Sequence, residues 1–180
     1  MKRAPSIEQG FTLIELIIFI VVISLSLAGI LLVINKTTQH SVDPQIRKQA
    51  LLIAESLMEE IQLQPFTWCD ADDPNVETAT STANCTTVPN AIGPEGGEAR
   101  GAGFDHVDDY HGYTSTGARN ALNQPIVGLE AYNTAVNVSA MALGSVPATD
   151  ALRIRVTVTH PEITIVLEGW RTRYAPNAGP

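Results

Sequence analysis

Three groups of residues in this chain have types and spacings that invite chemistry. The first is Gly10-Phe11-Thr12-Leu13-Ile14-Glu15-Leu16, where a carboxylate stands at the head of an otherwise apolar run. A charge at the centre of a membrane helix costs about 2.5–3.5 kcal/mol on insertion scales, and less near the interface. One reading of Glu15 is therefore a tolerated interfacial acid. The other needs a cation at fixed distance. Cleavage after Gly10 would create an α-amino group on Phe11, one helical turn from Glu15, and residues four apart share a helix face. The partner amine could equally belong to a neighbouring subunit.

The second group is acidic. Asp70, Asp72 and Asp73 lie in "CDADDPN", and Asp105, Asp108 and Asp109 in "FDHVDDYHGY". Together they are the candidates for calcium. The EF-hand template fails, because Pro74 stands at its fifth-position ligand, Asn75 at its glycine and Ser81 at its terminal glutamate. The expectation is a solvated turn on an acidic protein, with no metal and no other cofactor; a calcium site built from both patches is the alternative. His106, His111 and Cys69 lack the spacing of a zinc site. Imidazoles beside carboxylates also suggest acid–base chemistry, but no nucleophile motif accompanies them, so no enzyme is expected. Phe104, Val107, Tyr110 and Tyr113 recur at three-residue steps, which predicts a short helical turn pinned to a core.

The third group is Cys69 and Cys85. Behind a membrane anchor, such a pair reads as exported and bonded. Closing a loop of about 15 residues contributes roughly 3 kcal/mol in the chain-entropy model.

These residues need elements to position them. The chain has 180 residues, with 19 acidic against 11 basic and a formal charge of −8. That balance argues against nucleic acid as a partner, since a nucleic-acid footprint is basic. Phe11–Ile34 gives 24 residues, about 36 Å of helix, enough to cross a hydrocarbon core of about 30 Å. A secretory signal peptide would have a shorter apolar region and a small-residue cleavage site, and Asn35-Lys36-Thr37-Thr38 does not resemble one. A retained span is the better reading. Lys2 and Arg3 precede it, while Lys36, Arg47 and Lys48 follow, so the positive-inside count leaves orientation open. The cysteines favour a C-terminal region outside the cytoplasm.

Beyond the span, Asp43-Pro44 reads as a helix start. Val42, Ile46, Ala50, Ile53, Leu57 and Ile61 recur at three- and four-residue steps, an amphipathic helix ending at Pro65. Whether residues 35–42 join the two helices is open; Pro44 would kink a continuous rod. Residues 66–125 are rich in Gly, Pro, Asn, Asp, Ser and Thr and read as mostly irregular. Leu152, Ile154, Val156 and Val158 alternate with polar residues, as do Tyr132, Thr134, Val136 and Val138, and "ITIVLEGWRTRY" returns after His160-Pro161-Glu162. A three-stranded antiparallel meander laid on the 44–63 helix follows. Arg153, Arg155, Arg171 and Arg173 then fall on polar surface, as a solvated face or a basic stripe for another subunit.

The Gly-aromatic-Thr-Leu-Ile-Glu run after a short basic leader resembles the class III signal of type IV prepilins and type II secretion pseudopilins. The resemblance implies a leader of residues 1–10 cut by prepilin peptidase between Gly10 and Phe11, N-methylation of Phe11, and docking by Glu15 during assembly. It also implies a filament-core helix at 11–34, a head-group helix at 35–65, a disulfide-containing loop region at 66–125 and a β-meander at 126–180. The fold would be α+β and type IV pilin-like. "DPQIRKQALLIAESLMEEIQLQPF" and "FDHVDDYHGY" are similar to the MshD minor prepilins of mannose-sensitive haemagglutinin (MSHA) pili. The implied partners are prepilin peptidase, other major and minor pilins, the inner-membrane assembly platform and, before assembly, membrane lipid. The implied location is the bacterial inner membrane, single-pass with a periplasmic C-terminal domain, and then the pilus. A minor pseudopilin of a type II secretion system shares the leader and fold and is the alternative.

Overall fold

The computed structural model describes Gly10, residues 12–87 and residues 91–177, with the backbone alone for residues 35–43. The chain divides into two compact units, one ending at Pro44 and the other running from Gln45 to Pro180.

One helix, α1, covers Leu13–Leu63 and contains Pro44. The helix start expected at Asp43-Pro44 is therefore absorbed into a longer element. The fixed φ of proline suits a helix, so the chain continues through it, although the ladder lacks the bond residue 44 would have donated. The first unit holds the apolar part. Leu13–Ile34 is 22 residues, long and apolar enough to cross a membrane, at about 33 Å of helix. Ser24 and Ser26, which interrupt the run, donate their hydroxyls to the carbonyls of Ile20 (2.7 Å) and Val22 (2.8 Å). Both polar groups are thus satisfied inside the helix, as an apolar solvent requires.

The second unit is the α+β head. Its four-stranded sheet consists of β1 (Thr114–Ser115), β2 (Asn133–Ala140), β3 (Ala151–His160) and β4 (Ile163–Thr172), antiparallel and adjacent in chain order. Period-two patterning places Thr134, Val136 and Val138 of β2 and Leu152, Ile154, Val156 and Val158 of β3 on one buried face. Pro161-Glu162 makes the two-residue turn into β4. β1, only two residues long, lies inside the stretch expected to be irregular. It exists by pairing Thr114 and Ser115 with Ala135 and Thr134, a tertiary cause with no local period to announce it.

Ala50, Ala54, Leu57, Met58 and Ile61 of α1 join this face in one core with Val107, Tyr110 and Tyr132. Each fully buried Leu, Ile, Val or Met contributes about 1.5–3 kcal/mol. The stripe differs from the expected one in detail. Ile53 is only half-buried, Ala54 and Met58 are added, and Val42 lies outside the described side chains. Gly169 of β4 explains how the helix seats. A Cβ there would fall 2.7 Å from Gln62 Nε2 and 2.7 Å from Met58 Sδ. Gly169→Val is accordingly expected to lower stability by about 1–3 kcal/mol through overpacking, and Gly169→Ala by less. Urea unfolding of the two variants checks the order.

Of the arginines expected on polar surface, Arg155, Arg171 and Arg173 are engaged within the head. Arg155 pairs with Glu168 across the β3–β4 ladder at 2.6 Å. Arg171 donates to the Gln64 carbonyl at 3.0 Å and lies against Tyr174. Arg173 stacks between Phe66 and Trp68 and donates to the Thr67 carbonyl. The guanidiniums of Arg171 and Arg173 fasten the end of β4 to the segment after α1, because planar cations satisfy aromatic faces and carbonyls together.

Candidate functional site

At the N-terminus, Gly10 is exposed and precedes the helix, and Thr12 caps it. The Thr12 carbonyl accepts from the Glu15 and Leu16 N–H groups (3.1 and 3.2 Å), and Thr12 Oγ1 lies 3.4 Å from the Glu15 nitrogen. Thr12-Leu13-Ile14-Glu15 thus has the spacing of a capping box, a reading the sequence offered but which sequence reasoning missed. Glu15 is also favoured by the positive end of the helix macrodipole. It is the only charged residue of Leu13–Ile34. Phe11, expected to bear the new amine, lies outside the described residues, as do Lys2 and Arg3.

In the head, Cys69 and Cys85 are bonded, 16 residues apart in sequence. The loop they close is organised by Asp73. Its Oδ2 accepts from the Thr86 and Thr87 N–H groups (2.8 and 2.7 Å) and from Thr87 Oγ1, and its Oδ1 from Asn75 N–H. Asp109 works similarly, accepting from the Asp105 and His106 N–H groups at 2.9 and 2.7 Å. Burial pushes its carboxyl up to about 8 against the pull of those two bonds. Asp108 is buried in the 3₁₀ turn Asp108–Tyr110, while Asp72 is exposed. Of the six aspartates singled out as calcium candidates, Asp73 and Asp109 hold loop backbone, and only Asp70 and Asp105 enter a carboxylate cluster.

That cluster draws on three loop segments. Ligand-type atoms of Asp70, Asp105 and His106 lie within 4.8 Å of one another, and so do those of Asp70, Glu95 and Glu98. Glu95-Gly96-Gly97-Glu98 is a tight turn closed by Glu98 N–H donating to the Glu95 carbonyl at 2.9 Å. Gly96 and Gly97 have φ of 56° and 94°, a conformation costly for other residues. The turn brings both glutamates to one side. Burial, then the charges of Asp70, Asp72 and Glu95, push Asp105 up to about 6. Burial and Asp70 also raise Glu98. His106 is driven down to about 4, first by burial and then by Arg173, against the pull of Asp70. Sequence reasoning missed Glu95, Glu98 and the role of His106, because no spacing links three separate loops. "EGGE" was the local signal available.

A second buried polar group ties α1 to these loops. Arg100 forms a two-point pair with Glu60 (2.7 and 2.6 Å) and donates to Tyr113 Oη at 3.0 Å, while Tyr110 Oη donates to Glu60 at 3.0 Å. Burial pulls the Arg100 guanidinium down, but Glu60 and Tyr113 hold it above its ordinary value.

Comparison with curated proteins finds no match, and comparison with solved structures finds none. Residues 6–31 do match the prokaryotic N-terminal methylation motif. With that motif running into an apolar helix, followed in sequence by an α+β head, the chain carries a type IV prepilin-like N-terminal signal.

Proposed function

We propose that this chain is a non-enzymatic minor pilin, made as a membrane-held precursor and then packed into, or used to prime, a pilus of the MSHA type. The observation that carries the reading is the methylation motif over residues 6–31 leading directly into the span. On this reading prepilin peptidase cuts after Gly10 and methylates Phe11, the head folds in the periplasm, and Glu15 docks each subunit against its neighbours. The patches resembling MshD prepilins support the pilus over a type II secretion pseudopilus, which uses the same leader and fold. Mass spectrometry of the membrane-extracted protein tests the class: the mature N-terminus is expected to be Phe11 bearing one methyl group. Any other N-terminus sinks the prepilin reading. Neighbouring genes for pilus biogenesis, as against a secretion channel, decide between the two assemblies.

A further inference from the structure

We propose that Asp70, Glu95, Glu98, Asp105 and His106 form a divalent-cation site, and that the ion it takes is calcium. Five atoms are buried and have no hydrogen-bond partner among the described residues: Asp70 Oδ2, Glu95 Oε2, Glu98 Oε2, Asp105 Oδ1 and His106 Nδ1. Asp70 is 2% exposed and His106 0%. Buried polar atoms without partners are costly, and here the five side chains that carry them group in two triads that share Asp70.

In Asp70, Glu95 and His106 the other polar atom is already held, as the outer contacts of metal ligands usually are. Asp70 Oδ1 accepts from Asp72 N–H, and Glu95 Oε1 from Ala91 N–H. Thr67 determines the state of His106. Its hydroxyl donates to the Cys69 carbonyl at 2.6 Å, so towards His106 Nε2, also at 2.6 Å, it must accept. Nε2 therefore carries the imidazole proton, and the buried Nδ1, which has no hydrogen-bond partner among the described residues, keeps a lone pair. Carboxylates gathered in two triads around Asp70 repel one another unless positive charge sits among them.

The donor set selects the ion. Calcium takes six to eight oxygens at about 2.3–2.6 Å, so its donors lie at most about 5 Å apart, which matches triads within 4.8 Å. Four carboxylates with one imidazole make a hard site, unlike the thiolate and imidazole sets of structural zinc. Bound there, the ion ties the segment after the disulfide to the "EGGE" turn and the "FDH" segment. It joins three stretches that share little regular structure.

The test uses the full chain in detergent, stripped with EDTA and titrated with calcium chloride by calorimetry and thermal unfolding. Saturable binding is expected, with Tm raised by about 5–10 °C at saturation. Asp70→Asn and Glu98→Gln are expected to abolish the shift, and Asp72→Asn to keep it. Asp70→Asn also touches a backbone bond, so Glu98→Gln is the deciding variant. In EDTA it should be at least as stable as the parent, because it removes repulsion, whereas a merely structural glutamate would lose stability. No saturable calcium effect, or an undiminished one in Glu98→Gln, overturns the site. Tighter binding of zinc than of calcium overturns the choice of ion.

Discussion

A Glu15→Gln variant is expected to be cleaved and methylated at the parental rate, yet to be depleted about a hundredfold from assembled filaments. On the proposed reading the cut falls between residues 10 and 11, ahead of α1, which begins at Leu13. On the proposed pilin reading assembly is different, because docking would carry the carboxylate from the membrane interface into a helix-packed, low-dielectric core. Removing one partner of a buried ion pair costs about 3–5 kcal/mol, and 3 kcal/mol is already more than a hundredfold in an equilibrium constant. Glutamine is the informative replacement, since it retains the shape and capping capacity of the third helical position. If Glu15 served only as the acidic half of a cap, its loss would cost well under 1 kcal/mol of helix-end stabilisation, and incorporation would hardly change. Quantifying Glu15→Gln against parent subunits in sheared pili, with membrane levels as the control, separates the two. Normal incorporation would refute the docking role.

Arg100→Met is expected to lower the stability of the head by about 3–5 kcal/mol. The Arg100 and Glu60 side chains are 4% and 18% exposed, so truncation leaves a poorly solvated carboxylate facing the Tyr110 hydroxyl alone. A pair at the surface would be worth far less. In thermal unfolding of the full chain in detergent the loss corresponds to a Tm lower by about 10 °C. Glu60→Met/Arg100→Met should be less damaging than Arg100→Met, because no buried charge is left uncompensated. A double variant as unstable as the sum of the singles would show that the pair matters through packing rather than charge.

Much of the frame was legible because periods are local. Alternation at 132–138 and 152–158 announced β2 and β3, and the steps from Ile46 to Ile61 announced the buried face of α1. The motif around Gly10 and Glu15 was readable for the same reason: its residues are consecutive. Failures came where the cause is remote. Nothing at Thr114 and Ser115 signals a strand until Ala135 arrives as a partner. Asp73 was expected in a solvated turn, with calcium as the alternative, but it is buried and its bonds come from Thr86 and Thr87, across the disulfide loop. Arg173 looked like surface until Phe66 and Trp68, more than a hundred residues earlier, closed around it. The Asp43-Pro44 signal was misread differently: the proline stands inside a longer helix, although there it costs a ladder bond and crowds the turn before it.

The meander has a consequence for kinetics. Because β1, β2, β3 and β4 are neighbours in the same order in space and in the chain, no strand must wait for a partner made much later. Contacts close in sequence form faster than remote pairings, since less loop entropy is lost before they close. As the chain emerges N-terminus first, Cys69 can meet Cys85, then β2 can lie against β1, and β3 against β2. The two-residue turn at Pro161-Glu162 lets β4 zip last. The exposed edge waiting at each moment is therefore covered by the very next segment to appear, which shortens the interval in which a half-made sheet can capture the wrong strand.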